Sequence, residues 1–246
     1  VGKSTLFNCL SQSEAQSENY PFCTIDPNVS IVNVPDKRLD ALNKLIGPEK
    51  LIPTTVKIVD IAGLVKGASK GEGLGNKFLS NIRETDAIIH VLRCFDDPNV
   101  VHVDGKINPL SDREVVEYEL IMKDIEILDK RLDKVNKTLR SGGNEAKKEI
   151  EILERVKLSL ESTKVNLDDY SEDEFKDFIK PLELISFKPI LYVCNVGESD
   201  VVHGNDYVEM VKKEANVKSS GVIIISAKIE SEINELDSLD EKQMFL

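Results

Sequence analysis

The first residues of the chain contain the end of a phosphate-binding motif. Gly2, Lys3 and Ser4 match the last three positions of G-x-x-x-x-G-K-S/T, and Thr5 follows inside a segment with helical apolar spacing. Backbone N–H groups at such a helix start hold phosphate oxygens, because the helix dipole and the unpaired donors both favour an anion. Lys3 would contact the β- and γ-phosphates, and the Ser4 hydroxyl would bind Mg²⁺. The motif predicts a nucleotide site, although a helix that begins this way by chance is the alternative.

Two further features extend this interpretation to the metal and the γ-phosphate. Asp60 and Gly63 form a D-x-x-G motif at the end of an apolar segment, where an acid can hold Mg²⁺ through water and a glycine N–H can face the γ-phosphate. Thr24 lies between two prolines in an extended stretch, where a switch threonine would complete the Mg²⁺ coordination. Taken singly, Asp60 also suits a helix cap and Thr24 an ordinary loop hydroxyl.

Residues that would read the nucleotide base follow the last two apolar segments. Asn195, Val196 and Glu198 stand where guanine-binding proteins have N-K-x-D, whose aspartate accepts hydrogen bonds from guanine N1–H and N2–H₂. Here valine replaces the lysine and the longer glutamate replaces the aspartate, which displaces the carboxylate. This change weakens the selection of guanine without proving the selection of adenine. Ser226 and Ala227 follow the final apolar segment and are expected beside the base.

The elements that position these residues alternate between strands and helices. Strand-like segments cover residues 29–34, 56–60, 87–92, 189–195 and 222–226, and helical patterns cover residues 3–10, 36–46 and 205–215. Between residues 112 and 180, apolar residues recur at helical spacing among Glu and Lys, with an interruption at residues 141–144. The sequence predicts an α/β fold with a doubly wound, mostly parallel sheet in a P-loop domain (1–111 and 181–246). A helical hairpin resembling a coiled coil (112–180) is inserted into it.

Composition excludes several classes of protein. The 246 residues are 41% hydrophobic and 31% charged, which is typical of a globular protein, and no apolar run is long enough for a membrane span. The net charge of −12 argues against a protein that grips nucleic acid by bulk charge, and we expect neither a DNA nor a membrane partner. The four scattered cysteines, Cys9, Cys23, Cys94 and Cys194, predict reduced thiols in a cytoplasmic protein, with a redox role for Cys23 as the alternative.

Three stretches resemble the YchF or Obg-like ATPases, a branch of the translation-factor GTPases. They are N-Y-P-F-C-T-I-D-P-N at residues 19–28, D-I-A-G-L-V-K-G-A-S-K-G-E-G-L-G-N at residues 60–76, and V-L-R-C-F at residues 91–95. The resemblance implies that Gly2 to Thr5 belong to the phosphate loop and that Ser4 and Thr24 bind Mg²⁺. It also implies ATP as the preferred substrate, GTP as a further one, and the ribosome or another RNA–protein complex as partner.

The resemblance also bears on hydrolysis and on the chain ends. Leu64, which follows D-x-x-G, cannot orient a water molecule, so His102 is the candidate catalytic residue, since it is similar to a family histidine proposed for that role. A loop histidine that stabilises a domain junction is the alternative. The family also carries an N-terminal first strand and a C-terminal TGS domain, and we expect both to lie outside this sequence.

Three functions remain open from the sequence. The first is an ATP-hydrolysing switch whose loops become ordered on the γ-phosphate and signal to a partner. The second is a GTPase of the same fold. The third is a scaffold in which the nucleotide only stabilises the fold and the helical hairpin binds the partner. Alternatively, the hairpin is only a solvated arm, because its basic pairs Lys130-Arg131 and Lys147-Lys148 are interleaved with acids.

Overall fold

The computed structural model describes residues 1–12, 28–61, 82–98, 107–139, 144–163, 165–217, 220–236, 241 and 244. Within them lie two sheets, one antiparallel with strands β1 (Val29–Asn33) and β2 (Thr55–Val59), and one parallel with β3 (Ile88–Arg93), β4 (Ile190–Asn195) and β5 (Gly221–Ile225). The helices are α1 (Lys3–Gln12), α2 (Lys37–Ile46), α3 (Pro109–Leu139), α4 (Asn144–Glu161), α5 (Asp206–Val217) and α6 (Ala227–Asn234). This architecture confirms the predicted α/β fold with its helical hairpin.

Strand β4 is the centre of the parallel sheet and pairs with β3 on one side and β5 on the other. Its residues Tyr192, Val193 and Cys194 are buried, and helix α5 covers this part of the sheet with Val208 and Val211. A parallel strand that is covered on both faces is apolar throughout, which is the pattern seen in the sequence. The sheet therefore brings the carboxyl ends of β3, β4 and β5 to one edge.

Helices α1 and α6 lie against each other. The Asn234 side chain near the end of α6 donates a hydrogen bond to the Cys9 carbonyl of α1 at 2.8 Å. The Ser226 hydroxyl caps the start of α6 by accepting from the Ile229 N–H at 3.5 Å. An oxygen-bearing side chain at this position satisfies one of the unpaired N–H groups at a helix start. The bond from Asn234 therefore holds the two helices side by side.

Helix α2 connects the two antiparallel strands and matches the predicted segment. Asp36 caps it by accepting from the Arg38 N–H at 2.9 Å, and Gly47 ends it in a left-handed conformation with φ 58°. The Gly47 N–H donates to the Asn43 carbonyl at 2.9 Å. Local capping residues at both ends therefore fix the length of this exposed helix.

The hairpin consists of helices α3 and α4, packed along a seam that includes Leu128, Leu153, Val156 and Leu160. Two ion pairs join the helices outside the seam, Arg131 with Glu149 and Lys157 with Asp129, each at 2.6 Å. Helix α3 begins at Pro109, and the chain after α4 forms a series of short helical segments, namely Leu167–Asp169, Glu172–Glu174, Phe175–Ile179, Lys180–Leu182 and Ile185–Phe187. The domain boundaries at residues 112 and 180 stay a prediction.

A buried carboxylate fixes the hairpin to the chain that returns to β4. Asp124 of α3 is fully buried and accepts hydrogen bonds from the N–H groups of Ile185 at 3.0 Å and Ser186 at 2.7 Å. Desolvation raises the pKa of Asp124, while the two N–H donors favour its charged form. The donors satisfy a group that would otherwise be costly to bury. Among the described helices, none has the length and apolar character needed to cross a membrane.

His90 of β3 is held in its neutral form by its surroundings. Its ring centre lies 5.9 Å from that of Tyr192, and burial lowers its pKa to about 4. Arg113 acts in the same direction, while Glu117 and Asp112 oppose it. A histidine that is neutral when folded and protonated when unfolded makes acid favour the unfolded state.

We therefore expect the unfolding free energy to fall as the pH drops from about 6.5 to about 4. In that range the unfolded chain binds a proton at His90 that the folded chain does not, and the full loss below both pKa values is about 3 kcal/mol. Urea unfolding at pH 7 and pH 4.5 measures it. His90→Phe should remove this part of the pH dependence, while the exposed His203→Phe should keep it. An equal fall in the parent and in His90→Phe would contradict the expectation.

Candidate functional site

The phosphate-loop motif lies at the start of α1, against the end of β4. Gly2 has φ +87°, a conformation that side chains with a Cβ rarely adopt. A Cβ added to Gly2 would also overlap the Asn195 amide nitrogen. Glycine is therefore required here both by the backbone conformation and by close packing. Lys3, Ser4 and Thr5 form the first turn of the helix, with Ser4 and Thr5 exposed.

Asp60, directly after β2, is brought against the first turn of α1. The Lys3 ammonium forms an ion pair with Asp60 Oδ1, and Ser4 Oγ donates to Asp60 Oδ2 at 3.2 Å. The backbone holds Asp60 in place, since its N–H donates to the Asn28 carbonyl at 2.8 Å. The next residue, Ile61, packs against the buried cluster that includes Ile82, Leu120 and Ile185. An ammonium and a hydroxyl from neighbouring residues thus meet a carboxylate that lies 57 and 56 positions further along the chain.

The oxygen atoms at this point fit Mg²⁺. The Ser4 hydroxyl and the Asp60 carboxylate are hard donors, the type that Mg²⁺ prefers, and Lys3 supplies a cation for phosphate. Among the residues that the structure describes, no group of three or more His, Cys, Asp or Glu side chains could hold a metal ion.

Asn195 links three elements on the base side of the site. Its Nδ2 donates to the Val1 carbonyl at 3.0 Å, and its Oδ1 accepts from the Ala227 N–H at 2.9 Å. Asn195 is 5% exposed, so these bonds satisfy a buried amide. The amide therefore ties the end of β4 to the phosphate loop and to the start of α6. The buried Ser226 stands beside it as the cap of α6.

The two substituted positions of the base motif have different environments. Val196 is 3% exposed and belongs to the hydrophobic core, and its N–H donates to the Ile225 carbonyl at 2.8 Å. Its side chain therefore stabilises the sheet. Glu198 begins a short helical turn after β4, is 53% exposed, and forms an ion pair with Lys228 in the first turn of α6. Glu198 is thus the accessible acid of this motif.

Sequence reasoning missed a residue that shapes the adjoining loop. Arg93, at the end of β3, is 4% exposed, and its guanidinium lies 4.8 Å from the centre of the Phe95 ring. It donates to the carbonyls of Phe95 and Asp97, both at 3.2 Å. Arg93 lies inside the distinctive V-L-R-C-F stretch, and this was the sequence signal that could have identified it. The predicted residues Thr24, Gly63 and His102 lie outside the described residues, and their roles stay predictions.

Known proteins match this chain over all or much of its length. A family model described as "50S ribosome-binding GTPase" matches residues 1–153. The "Ribosome-binding ATPase YchF" of Bacillus subtilis (strain 168) is 51% identical over 248 residues, covering all of this chain and 68% of the relative. The protein of the same name from Escherichia coli O157:H7 is 44% identical over 247 residues, covering all of this chain and 67% of the relative.

A solved structure shows the same fold. It is titled "Structure of the Schizosaccharomyces pombe YchF GTPase", is 36% identical, and superposes with a TM-score of 0.83. The match covers 99% of this chain and 67% of that one.

Proposed function

Because the chain belongs to the YchF family of P-loop nucleotide hydrolases, we propose that it binds ATP with Mg²⁺ and hydrolyses it to ADP and phosphate as a molecular switch. The observation that supports this most directly is the meeting of Lys3, Ser4 and Asp60 at the start of α1. Two of these residues are suited to hold the metal and one to hold phosphate oxygens.

On the phosphate side, the chain's own residues would bind and orient the nucleotide. Gly2 lets the backbone turn so that the N–H groups at the start of α1 face the phosphates. Lys3 would exchange the carboxylate of Asp60 for phosphate oxygens, so one anionic partner replaces another. Ser4 and Asp60 would then hold Mg²⁺, which when bound neutralises charge on the phosphates.

The other proposed roles in hydrolysis fall on residues that were predicted from the sequence. Thr24 would complete the metal coordination, the Gly63 N–H would contact the γ-phosphate, and His102 would hold or transfer a proton during hydrolysis. Thr24 and Gly63 would make these contacts only while the γ-phosphate is bound. Its loss on hydrolysis would release both loops and change the surface that a partner meets.

The base pocket decides between ATP and GTP. The names of similar proteins differ on this point, since the bacterial relatives are called ATPases and the fission-yeast structure is titled a GTPase. Two features of this chain favour ATP: Glu198 replaces the shorter aspartate, and Val196 lies in the core instead of providing a lysine beside the base. A GTPase of the same fold is the second candidate, favoured by the name given to the fission-yeast protein.

The proposed partner is the ribosome, and the proposed location is the cytoplasm. The bacterial relatives are named ribosome-binding, and the family model carries the same word. The hairpin of α3 and α4 offers the surface on which such a partner would act. Asp124 joins that surface to the nucleotide-binding part of the chain.

We expect the full chain to bind ATP more tightly than GTP, and Glu198→Asp to move the preference toward GTP by about 10-fold. The shorter aspartate restores the acceptor geometry that guanine N1–H and N2–H₂ require, and one charge-assisted hydrogen bond accounts for roughly that factor. Competitive titration with the two Mg²⁺-nucleotides measures both preferences. The matched control is Glu209→Asp, another exposed glutamate in an ion pair, on α5.

Two results would reject parts of this proposal. A parent protein that prefers GTP would return the chain to the GTPases. Binding of neither nucleotide would leave the scaffold function, in which the hairpin alone binds a partner. The lysine of the N-K-x-D motif cannot be restored in the same way, because Val196 is buried and a charge there would destabilise the core.

A further inference from the structure

An ion pair at the rim of the base pocket engages the acid that would read the base. The Lys228 ammonium contacts Glu198 Oε1 and lies 3.8 Å from Glu232 Oε1. The hydrogen bond to Glu198 raises the pKa of Lys228, and the charges of Glu198 and Glu232 act in the same direction. One oxygen of the Glu198 carboxylate is thus held by a group of the chain itself.

A second polar group at the pocket is also satisfied within the chain. The Ala227 N–H, at the start of α6, donates to Asn195 Oδ1 at 2.9 Å. Ala227 is 3% exposed, so the bond satisfies a donor that water does not reach. Both the Glu198 carboxylate after β4 and the Ala227 N–H of α6 therefore have partners before a base arrives.

These two contacts act against guanine more than against adenine. Guanine presents an O6 acceptor beside its N1–H and N2–H₂ donors, whereas adenine presents an N6–H₂ donor and the N1 acceptor. A carboxylate reads guanine best when both oxygens accept, one from each donor, and O6 then needs an N–H donor nearby. The Lys228 ammonium makes one oxygen of Glu198 a weaker acceptor, and the Ala227 N–H is directed to Asn195. Adenine needs neither the two free carboxylate oxygens nor this N–H.

We propose that Lys228 is a specificity-determining residue that lowers the affinity for guanine nucleotides by holding the carboxylate of Glu198. The proposal rests on the nucleotide site proposed above and names what sets its preference. Lys228 is a positioning residue here, since it acts through Glu198. The pair is exposed on both sides, at 71% for Lys228 and 53% for Glu198, and exposed pairs contribute little to stability. Its effect should therefore appear in base selection and not in folding.

The test is a double-mutant cycle on the full chain, with dissociation constants for Mg²⁺-ATP and Mg²⁺-GTP. Lys228→Met should raise the affinity for GTP by up to about 5-fold and leave that for ATP unchanged, because guanine no longer has to displace an exposed ion pair, whose strength limits the effect. In a Glu198→Gln background the same change should bring no gain. Lys228→Arg keeps the cation and should keep the parent's ratio of affinities.

A matched lysine supplies the control, and the outcomes are distinct. Lys212→Met removes a similar exposed pair, with Glu209 of α5, and should not change the ratio. The proposal would be overturned if Lys228→Met left the ratio of GTP affinity to ATP affinity unchanged. It would also be overturned if Lys228→Met raised GTP affinity equally in the Glu198→Gln background. If the parent protein preferred GTP, only the ATPase assignment would be rejected. The ratio of GTP affinity to ATP affinity would still rise in Lys228→Met if Lys228 acts as proposed. A parent that binds neither nucleotide would overturn both.

Discussion

Replacing Lys3 with alanine is expected to lower the rate of ATP hydrolysis at saturating Mg²⁺-ATP by at least about 100-fold. Loss of one group that stabilises developing charge in a transition state costs roughly this much in other enzymes. Lys3 is the ammonium that contacts Asp60 beside the Ser4 hydroxyl, where the γ-phosphate would lie. Phosphate release under steady-state conditions measures the effect.

Two controls distinguish the loss of the Lys3 ammonium from a general loss of structure. The Lys3 side chain is 35% exposed, so its ion pair contributes little to stability and the melting temperature should change little. Lys212→Ala removes a comparable surface lysine on α5 and should keep the parent's rate. Hydrolysis within about 3-fold of the parent in Lys3→Ala would show that this residue does not act in the transition state.

Replacing Gly2 with alanine is expected to weaken nucleotide binding by at least about 100-fold, equivalent to about 2.7 kcal/mol. The left-handed conformation at φ +87° costs a residue with a Cβ about 1–2 kcal/mol. The Cβ would also displace the Asn195 amide, whose bonds to Val1 and Ala227 join the two sides of the site. Nucleotide titration and thermal unfolding of the same preparation measure both consequences.

Gly47→Ala is the matched control for that experiment. Gly47 also has a positive φ, 58°, but an added Cβ there would meet nothing within 4 Å. Its replacement should cost about 1 kcal/mol of stability at the end of α2 and leave nucleotide affinity unchanged. If the two alanine variants bound nucleotide equally well, the close contact between Gly2 and Asn195 would have no part in binding.

The fold could be predicted where its elements depend on residues that are close together in the sequence. The apolar segment at 189–195 predicted strand β4, and the helical pattern at 36–46 predicted helix α2, which Asp36 and Gly47 cap in the structure. The region after α4 followed its prediction less closely. There Asn166 and Ser171 cap separate short segments through their own side chains, so local hydrogen bonds replace a continuation of α4 toward residue 180.

The site was predicted in part, for physical reasons that differ by residue. The order of the motifs predicted that Lys3 and Asp60 serve one phosphate site, and the two side chains form an ion pair even though Asp60 follows a strand of the antiparallel sheet. Val196 was expected beside the base, but the chain is still extended there and successive side chains alternate between faces, so it enters the core. The pair of Glu198 and Lys228 depends on the direction in which α6 leaves the sheet, which no local pattern specifies.

The position of Asn195 has a consequence for how the protein can change by mutation. Its side chain must donate to one backbone group and accept from another at the same time, so a short side chain that ends in an amide is required. In the standard genetic code, no single-base change converts an asparagine codon into a glutamine codon, and the residues that such changes do reach lack an amide. Single-base changes can therefore alter base-pocket residues such as Glu198 gradually. Every single-base change that replaces Asn195, in contrast, removes the amide that joins the two sides of the site.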